Sequence, residues 1–343
     1  MSKSRDVRAE LTAESDSSTS ARWSDLATSH QSIANLLWRT GRTAEALESD
    51  REALAIWQRL VTRDIEEAAF RYNLASCQSE IGLLLLLSEH PDAAIESLSD
   101  AISNFLLVVR TNPSVSAFQS GLGFAYVRIA QAYSSDGRLR EALEPEHLAV
   151  EKFRKLADAN PAVFDHKYYL ALACNTLSET QAKLGQLSEA METARQSTSV
   201  ARDLVASNPE RPRSHEVLAM ALMAVGRIEQ ERKNWIDAAA AFREGISAYE
   251  EIPPSARYLE THYNLACGRS MLAYVLSRSD PTGTPEVQAV SDRAMASLRT
   301  AVSLGFQSTS SLRTDGDLTF IRPRPDFQLM LLDLDFPPEP FSP

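Results

Sequence analysis

Glycine is scarce in this sequence, with 12 in 343 residues. A chain of strands and tight hairpins needs more, because glycine supplies the positive φ that such turns require. The scarcity, beside abundant alanine and leucine, points to helices. Cysteine is scarcer still. Cys77, Cys174 and Cys267 lie more than 90 residues apart, their number is odd, and no C-x-x-C occurs. That argues against a disulfide framework and a zinc site, and for free, buried thiols in a reducing compartment. Positive charge is in deficit: 35 Lys and Arg stand against 46 Asp and Glu, for a net −11. A nucleic-acid binder carries a basic stripe, so nucleic acid is not an expected partner. Long apolar runs are missing as well. The longest, Ile81 to Leu87, falls far short of the roughly 20 residues that a membrane span needs. The opening MSKSRDVRAELTAESDSSTS has no apolar core of a signal peptide, and reads as a disordered polar leader. The expected setting is cytoplasmic, with no membrane association.

What the sequence does have is a repeat. GRTAEAL at Gly41, GRLREAL at Gly137 and GQLSEAM at Gly185 are separated by multiples of 48 residues, and EHPDAAI at Glu89 and KNWIDAA at Lys233 fill the missing places. Asn112-Pro113, Asn160-Pro161 and Asn208-Pro209 share that spacing. Asn-Pro marks a helix end, since proline disfavours the helical region for the residue before it. Each copy therefore reads as two helices: A runs into the glycine turn, and B runs from there to the Asn-Pro. In the third copy A is expected over about Phe118 to Ser135, and B over about Leu139 to Ala157. Small residues recur in columns: Ala34, Gly82, Ala130, Ser178 and Gly226; Ala46, Ala94, Ala142, Ala190 and Ala238; Ala53, Ala101, Ala149, Ser197 and Gly245. Small side chains at fixed positions let neighbouring helices approach closely.

The order small residue, glycine turn, alanine, alanine resembles the tetratricopeptide repeat (TPR), at a period 14 residues longer than that motif's usual 34. The surplus fits about two extra turns per helix. A sixth, irregular pair follows. Tyr263-Asn264-Leu265-Ala266 repeats Tyr72-Asn73-Leu74-Ala75, the loop RSDPTGTPEV interrupts it, and helix B resumes at DRAMASLRTAV. The resemblance implies an all-α, right-handed TPR-like α-solenoid of about six antiparallel helix pairs with a C-terminal cap. Residues 1–20 would form the leader, 21–305 the array, and 306–343 a capping segment and Pro-rich tail. The tail also resembles the closing segment of TPR arrays attached to planctomycete-type bacterial serine/threonine kinases. The matching residues are Leu312-Arg313-Thr314-Asp315, Asp317-Leu318, Arg322 and Pro325-Asp326-Phe327.

Chemistry is harder to find. The kinase signature needs V-A-I-K, the H-R-D loop and D-F-G, and none of them occurs. Gly121-Leu122-Gly123 imitates a phosphate loop, but Tyr126 stands where a third glycine belongs. Gly123 instead falls in the small-residue column Ala27, Ala75, Ala171 and Ala219, while Gly121 shares a column with Asp25, Asn73, Tyr169 and Val217. The histidines, His30, His90, His147, His166, His215 and His262, are scattered without metal-ligand spacing. His166, His215 and His262 fall near starts of helix A and read as structural. No G-x-S-x-G elbow is present. Pro145 lies past the first turn of its helix, where proline costs about 3 kcal/mol, and predicts a kink or break after Glu141.

No catalytic residue, cofactor or metal is therefore expected, and the chain is not expected to be an enzyme. A stacked helical array offers a concave face, lined mainly by helix A, to an extended peptide or a partner helix. Counted from the glycine turn, inward positions are Gln31, Asn35 and Arg39; Ser79 and Leu83; Val127 and Gln131; Asn175, Glu179 and Lys183; Met223 and Arg227. Asn35, Gln131 and Asn175 suit a peptide backbone, and Arg39, Lys183 and Arg227 a carboxylate. Leu83, Val127 and Met223 suit helix packing equally well. The lysine-and-asparagine clamp that some TPR proteins use is not present as a set. The expected function is a non-catalytic protein-interaction scaffold. The alternatives are a docking region of a serine/threonine kinase system, with the kinase as a candidate partner, and a peptide-sensing receptor.

Overall fold

The computed structural model describes residues 2–64, 67–279 and 285–335, with side chains described from Thr19 onward. Every extended regular element among them is an α-helix. The chain divides into two compact units, Met1–Asn160 and Pro161–Pro343. In the first, α1 (Ser2–Arg39) pairs with α2 (Thr43–Arg63), α3 (Ala68–Leu87) with α4 (Pro91–Thr111), and α5 (Ser116–Ser135) with α6 (Leu139–Ala159). In the second, α7 (Phe164–Lys183) pairs with α8 (Leu187–Ser207), α9 (Pro212–Glu231) with α10 (Trp235–Glu250), and α11 (Leu259–Ser279) with α12 (Pro285–Ser303). A capping group follows: α13 (Thr309–Thr314), a 3-10 turn Gly316–Leu318, and α14 (Pro325–Asp335). Each unit is thus a run of antiparallel helix pairs, the all-α, TPR-like solenoid that the repeat implies.

The helix ends keep the sequence register. Helices α3, α5, α7 and α9 begin at residues 68, 116, 164 and 212, and α1, α3, α5, α7 and α9 end at 39, 87, 135, 183 and 231. The turn behind each end is the same object. Gly41, Gly137 and Gly185 have φ of 80, 75 and 78°, and Glu89 and Lys233 hold the same conformation at 61°. In each, the amide two places beyond the helix end reaches back three residues and the next amide five, as Gly137 N to Ser134 O (3.1 Å) and Arg138 N to Tyr133 O (2.8 Å) show. This Schellman pattern satisfies carbonyls that the helix end would leave unpaired. The Asn of each Asn-Pro closes helix B: Asn112, Asn160 and Asn208 donate their backbone N–H to Val108, Leu156 and Leu204.

The small-residue columns are buried and carry the packing. Ala46, Ala94, Ala142, Ala190 and Ala238 are fully inaccessible, and so are Ala27, Ala75, Ala171 and Ala219 of the Gly123 column. A Cβ built on Gly123 would stand 2.9 Å from the Phe153 ring, and one on Gly226 2.5 Å from Phe242. So Gly123 is a helix-contact residue. Gly121 has the same need, which its column does not advertise: a Cβ there would meet Phe105 at 2.6 Å and Tyr72 at 3.1 Å.

Two local expectations change. Helix α6 runs unbroken from Leu139 to Ala159 through Pro145, so there is no break after Glu141. The proline removes one hydrogen bond, to the exposed Glu141. Ala142, Ala149, Val150 and Phe153, buried before and after the proline, hold both halves of the helix in place. The backbone of α1 is helical from Ser2, where composition reads a disordered leader. Helix extension is cheap beyond an anchored stretch, because nucleation is the costly step. Side chains up to Ser18 lie outside the described residues, as do loop residues 280–284 and the Pro-rich tail from Phe336.

Register positions also expose an unequal burial. Leu74, Leu122 and Leu170 are 6%, 0% and 6% accessible, while Leu26, the same position in α1, is 43% accessible. Ile33 and Leu36 of α1 are likewise exposed, where Ile81, Ile129 and Leu84 are buried. In the first unit α2 packs on α3 and α4 on α5. Among the described residues α1 has no helix in the corresponding place.

Candidate functional site

Consecutive A helices lie side by side within each unit, α3 by α5 and α7 by α9. In the first unit Gln31, Asn35 and Leu83 line a cleft of about 310 Å³, with Trp38, Asp50 and Glu80. Part of this set is already engaged. The Gln31 carbonyl accepts a hydrogen bond from Trp57 Nε1 at 3.0 Å. Ser79 is buried and accepts from Arg128 at 2.8 Å, and Arg128 also pairs with Glu80 at 2.8 Å. Asn35, Arg39 and Gln131 are exposed, and Val127 is half-buried. Burial and the neighbouring Glu80 push the Asp50 carboxyl up to about 7.

The second unit gathers its residues more tightly. Asn175, Glu179, Met223 and Arg227 meet at a recess of about 140 Å³. A wider cleft of about 610 Å³, sharing Glu179 and Arg227, adds Lys183 and Glu231. Met223 is buried and its methyl packs where Gly245 and Gly268 leave room, so it is a core residue at the recess wall. The Arg227 guanidinium donates to Glu179 at 2.6 Å and to Asp317 at 3.1 Å. Burial opposes its charge, but these carboxylates outweigh burial and raise its pKa. Asn175 Nδ2 donates to Glu179 at 3.2 Å.

The capping segment completes this recess. Asp315 accepts from the Tyr263 hydroxyl at 2.6 Å through Oδ2, and from the Asp317 amide at 2.9 Å through Oδ1. Arg322 donates to the carbonyls of Leu312 and Asp315, which pins the loop. Leu312, Leu318, Ile321 and Phe327 are fully buried beneath it with Met295 and Leu298 of α12. The tail residues quoted from the sequence are thus a structural cap, except Asp315 and Asp317, which face the recess. Arg227 and Asp317 are 90 residues apart, and spacing alone could not bring them together.

Cys267, Asp315 and Asp317 are close enough to share a metal ion, the one such trio among the described residues. The chemistry fits poorly. Burial, then Asp315 and Asp317, raises the Cys267 thiol well above its ordinary pKa, whereas a metal needs the thiolate. Arg227 already supplies a cation at Asp317. Cys77, Cys174 and Cys267 are all buried and none is in a disulfide. His215 lies in the first turn of α9 and donates through Nε2 to the Pro209 carbonyl at 2.8 Å. Gln119 makes the equivalent bond to Pro113 in α5, so this is a structural column. Among the described residues there is no sheet, and the one trio that could hold a metal fits it poorly.

The tetratricopeptide repeat model matches residues 26–64, the end of α1 with α2. This is a TPR-like repeat protein. Its antiparallel pairs, αL turns and buried small columns are the features that such repeats share. Solved structures of similar fold include BtubC (BKLC) from P. vanneervenii, 15% identical, covering 76% of this chain and 91% of that one at a TM-score of 0.57. The apo form of RapI is 10% identical over 90% of this chain and 97% of its own, with a TM-score of 0.58. A signal transduction ATPase with a tetratricopeptide repeat sensor from Pyrococcus horikoshii is 12% identical over 90% of this chain and 44% of its own, with a TM-score of 0.52. No curated protein sequence matches. No helix of the TPR-like array among the described residues is long and apolar enough to cross a membrane.

Proposed function

We propose that this chain is a non-catalytic scaffold that binds an extended peptide or a partner helix against its A helices. The reading rests on one observation above the others: inward-register residues of α7 and α9, including Asn175, Glu179 and Arg227, meet at a single recess. A pocket with a few convergent polar groups is the usual form of a recognition site. In this reading Asn35 serves a ligand backbone at the cleft of the first unit, and Asn175, with Lys183 in the wider cleft, serves one at the second. The setting would be cytoplasmic, in keeping with three buried cysteines outside any disulfide. Panning a peptide library against the full chain tests the proposal. Selected peptides should lose affinity on Asn35→Ala or Lys183→Glu. The idea fails if nothing is selected, or if binding moves only with substitutions on helix B, such as Arg195→Ala.

The tail residues support a narrower version, docking beside a serine/threonine kinase. Copurification of a kinase that requires the intact cap would favour it. A sensing role is the second reading, favoured by the repeat sensor named in one similar structure.

A further inference from the structure

The recess of the second unit carries more negative charge than it can balance internally. Glu179, Asp315 and Asp317 line it against one cation, Arg227. Arg227 is fully committed in direction: one nitrogen faces Glu179 and the other Asp317. The expectation that Arg227 receives a ligand carboxylate therefore reverses, because the protein's own carboxylates occupy it. Burial first, and then Asp315 and Glu179 against Arg227, raises the pKa of Asp317.

A second observation is independent of charge. Asn175 is 4% accessible and lines the same recess, yet its Oδ1 has no hydrogen-bond partner. A buried acceptor left unpaired costs about 1–3 kcal/mol, so a group that donates a hydrogen bond there recovers that cost. Met223, Met271 and Tyr249 supply apolar wall around these polar atoms. An apolar stem with a donating, positively charged end matches both observations.

We infer that this recess binds a primary ammonium, the end of an alkyl chain, with Asn175 Oδ1 as acceptor and the Glu179, Asp315 and Asp317 carboxylates as counter-charge. The volume of about 140 Å³ suits a short alkylammonium and no folded partner. Arg227 holds the two carboxylates that it bridges in fixed positions rather than meeting the ligand's charge. The inference rests on reading this face as the binding face, and names the ligand group that the face takes.

The test titrates the full chain with butylammonium and, as the matched anion, butyrate, following binding by NMR of labelled protein. Butylammonium should bind and butyrate should not. Asp317→Asn keeps the shape and removes one counter-charge, and should weaken butylammonium about tenfold, or about 1.4 kcal/mol. Asn175→Ala should weaken it as well. If either variant is unfolded by circular dichroism, the wild-type comparison still decides: butyrate binding in preference to butylammonium overturns the inference. So does butylammonium binding that is equal in a folded Asp317→Asn. Three further probes assign the source. N-acetyl-lysine amide binding marks a lysine side chain, triglycine amide binding marks a peptide amino terminus, and response to butylammonium alone marks a free amine. A library-selected peptide that lacks every amine yet binds this recess would sink the ammonium and leave the scaffold reading standing. Butylammonium binding with no selectable peptide would do the opposite.

Discussion

Leucine occupies one register position in α1, α3, α5 and α7, which makes a controlled experiment out of the repeat. Leu26, Leu74 and Leu122 lie in the first unit with accessibilities of 43%, 6% and 0%. The substitution to alanine is chemically identical at each, and each residue sits inside a helix. Only the surroundings differ. Removing a fully buried leucine loses its transfer free energy and leaves a cavity, at about 2–5 kcal/mol. For Leu122→Ala, with α4 packed over α5, we expect about 3–4 kcal/mol, and for Leu74→Ala about 3 kcal/mol. Leu26 keeps close to half of its surface in water and has no overlying helix among the described residues. Its truncation forfeits about 1 kcal/mol of burial at roughly 25 cal/mol per Å². The better helix propensity of alanine offsets a few tenths of that. Urea unfolding by far-UV circular dichroism, at equal slope, should rank the midpoints wild type, then Leu26→Ala close behind, then the other two well below. All three residues share one compact unit, so a separate transition of the second unit does not disturb the ranking. Equal losses for Leu26→Ala and Leu122→Ala would refute the reasoning, and would mean that the α1 face is covered in solution.

The turns allow a gain as well as a loss. Glu89 and Lys233 hold φ of 61°, a conformation that costs a non-glycine residue about 1–2 kcal/mol. Lys233→Gly should raise stability by about 1 kcal/mol and Gly137→Ala lower it similarly, since a Cβ at Gly137 meets nothing within 4 Å; melting temperatures moving the other way would refute this. Gly226→Ala, by contrast, drives a Cβ to 2.5 Å from Phe242 and should cost about 1–3 kcal/mol by overpacking, measured by urea denaturation. Asp50 sets a pH dependence. Its folded-state pKa of about 7 exceeds the ordinary 3.8, so the native state keeps a proton that the unfolded chain releases. Stability on this account is complete below about pH 4, declines up to about pH 7 and then levels. Asp50→Asn should remove the decline and be more stable than wild type at pH 8 by about 2–4 kcal/mol; parallel curves from pH 4 to 8 would show otherwise.

Much of this architecture was legible in the residues because a repeat reports itself several times. The glycines at 41, 137 and 185 mark turns that really do need positive φ, and alanine columns mark places where helices touch. Gly121 escaped because its column holds Asp25, Asn73, Tyr169 and Val217. Its requirement comes from Phe105 and Tyr72 of one particular repeat, not from the register. Pro145 misled in the other direction. The local cost of proline leaves out the buried face that keeps α6 helical through it.

The sequence by itself determined the helix pairs, their turns and most of the residues that face neighbouring helices. Those depend on periodicity and on local backbone preference, both of which are written along the chain. Tertiary structure alone decided the charge of the recess. The register could place Arg227 and Glu179 one repeat apart on adjacent helices, but only the returning cap sets Asp315 and Asp317 beside them. Electrostatics depends on distance in space, and that 90-residue closure turned a cation awaiting a carboxylate into one already bound by two.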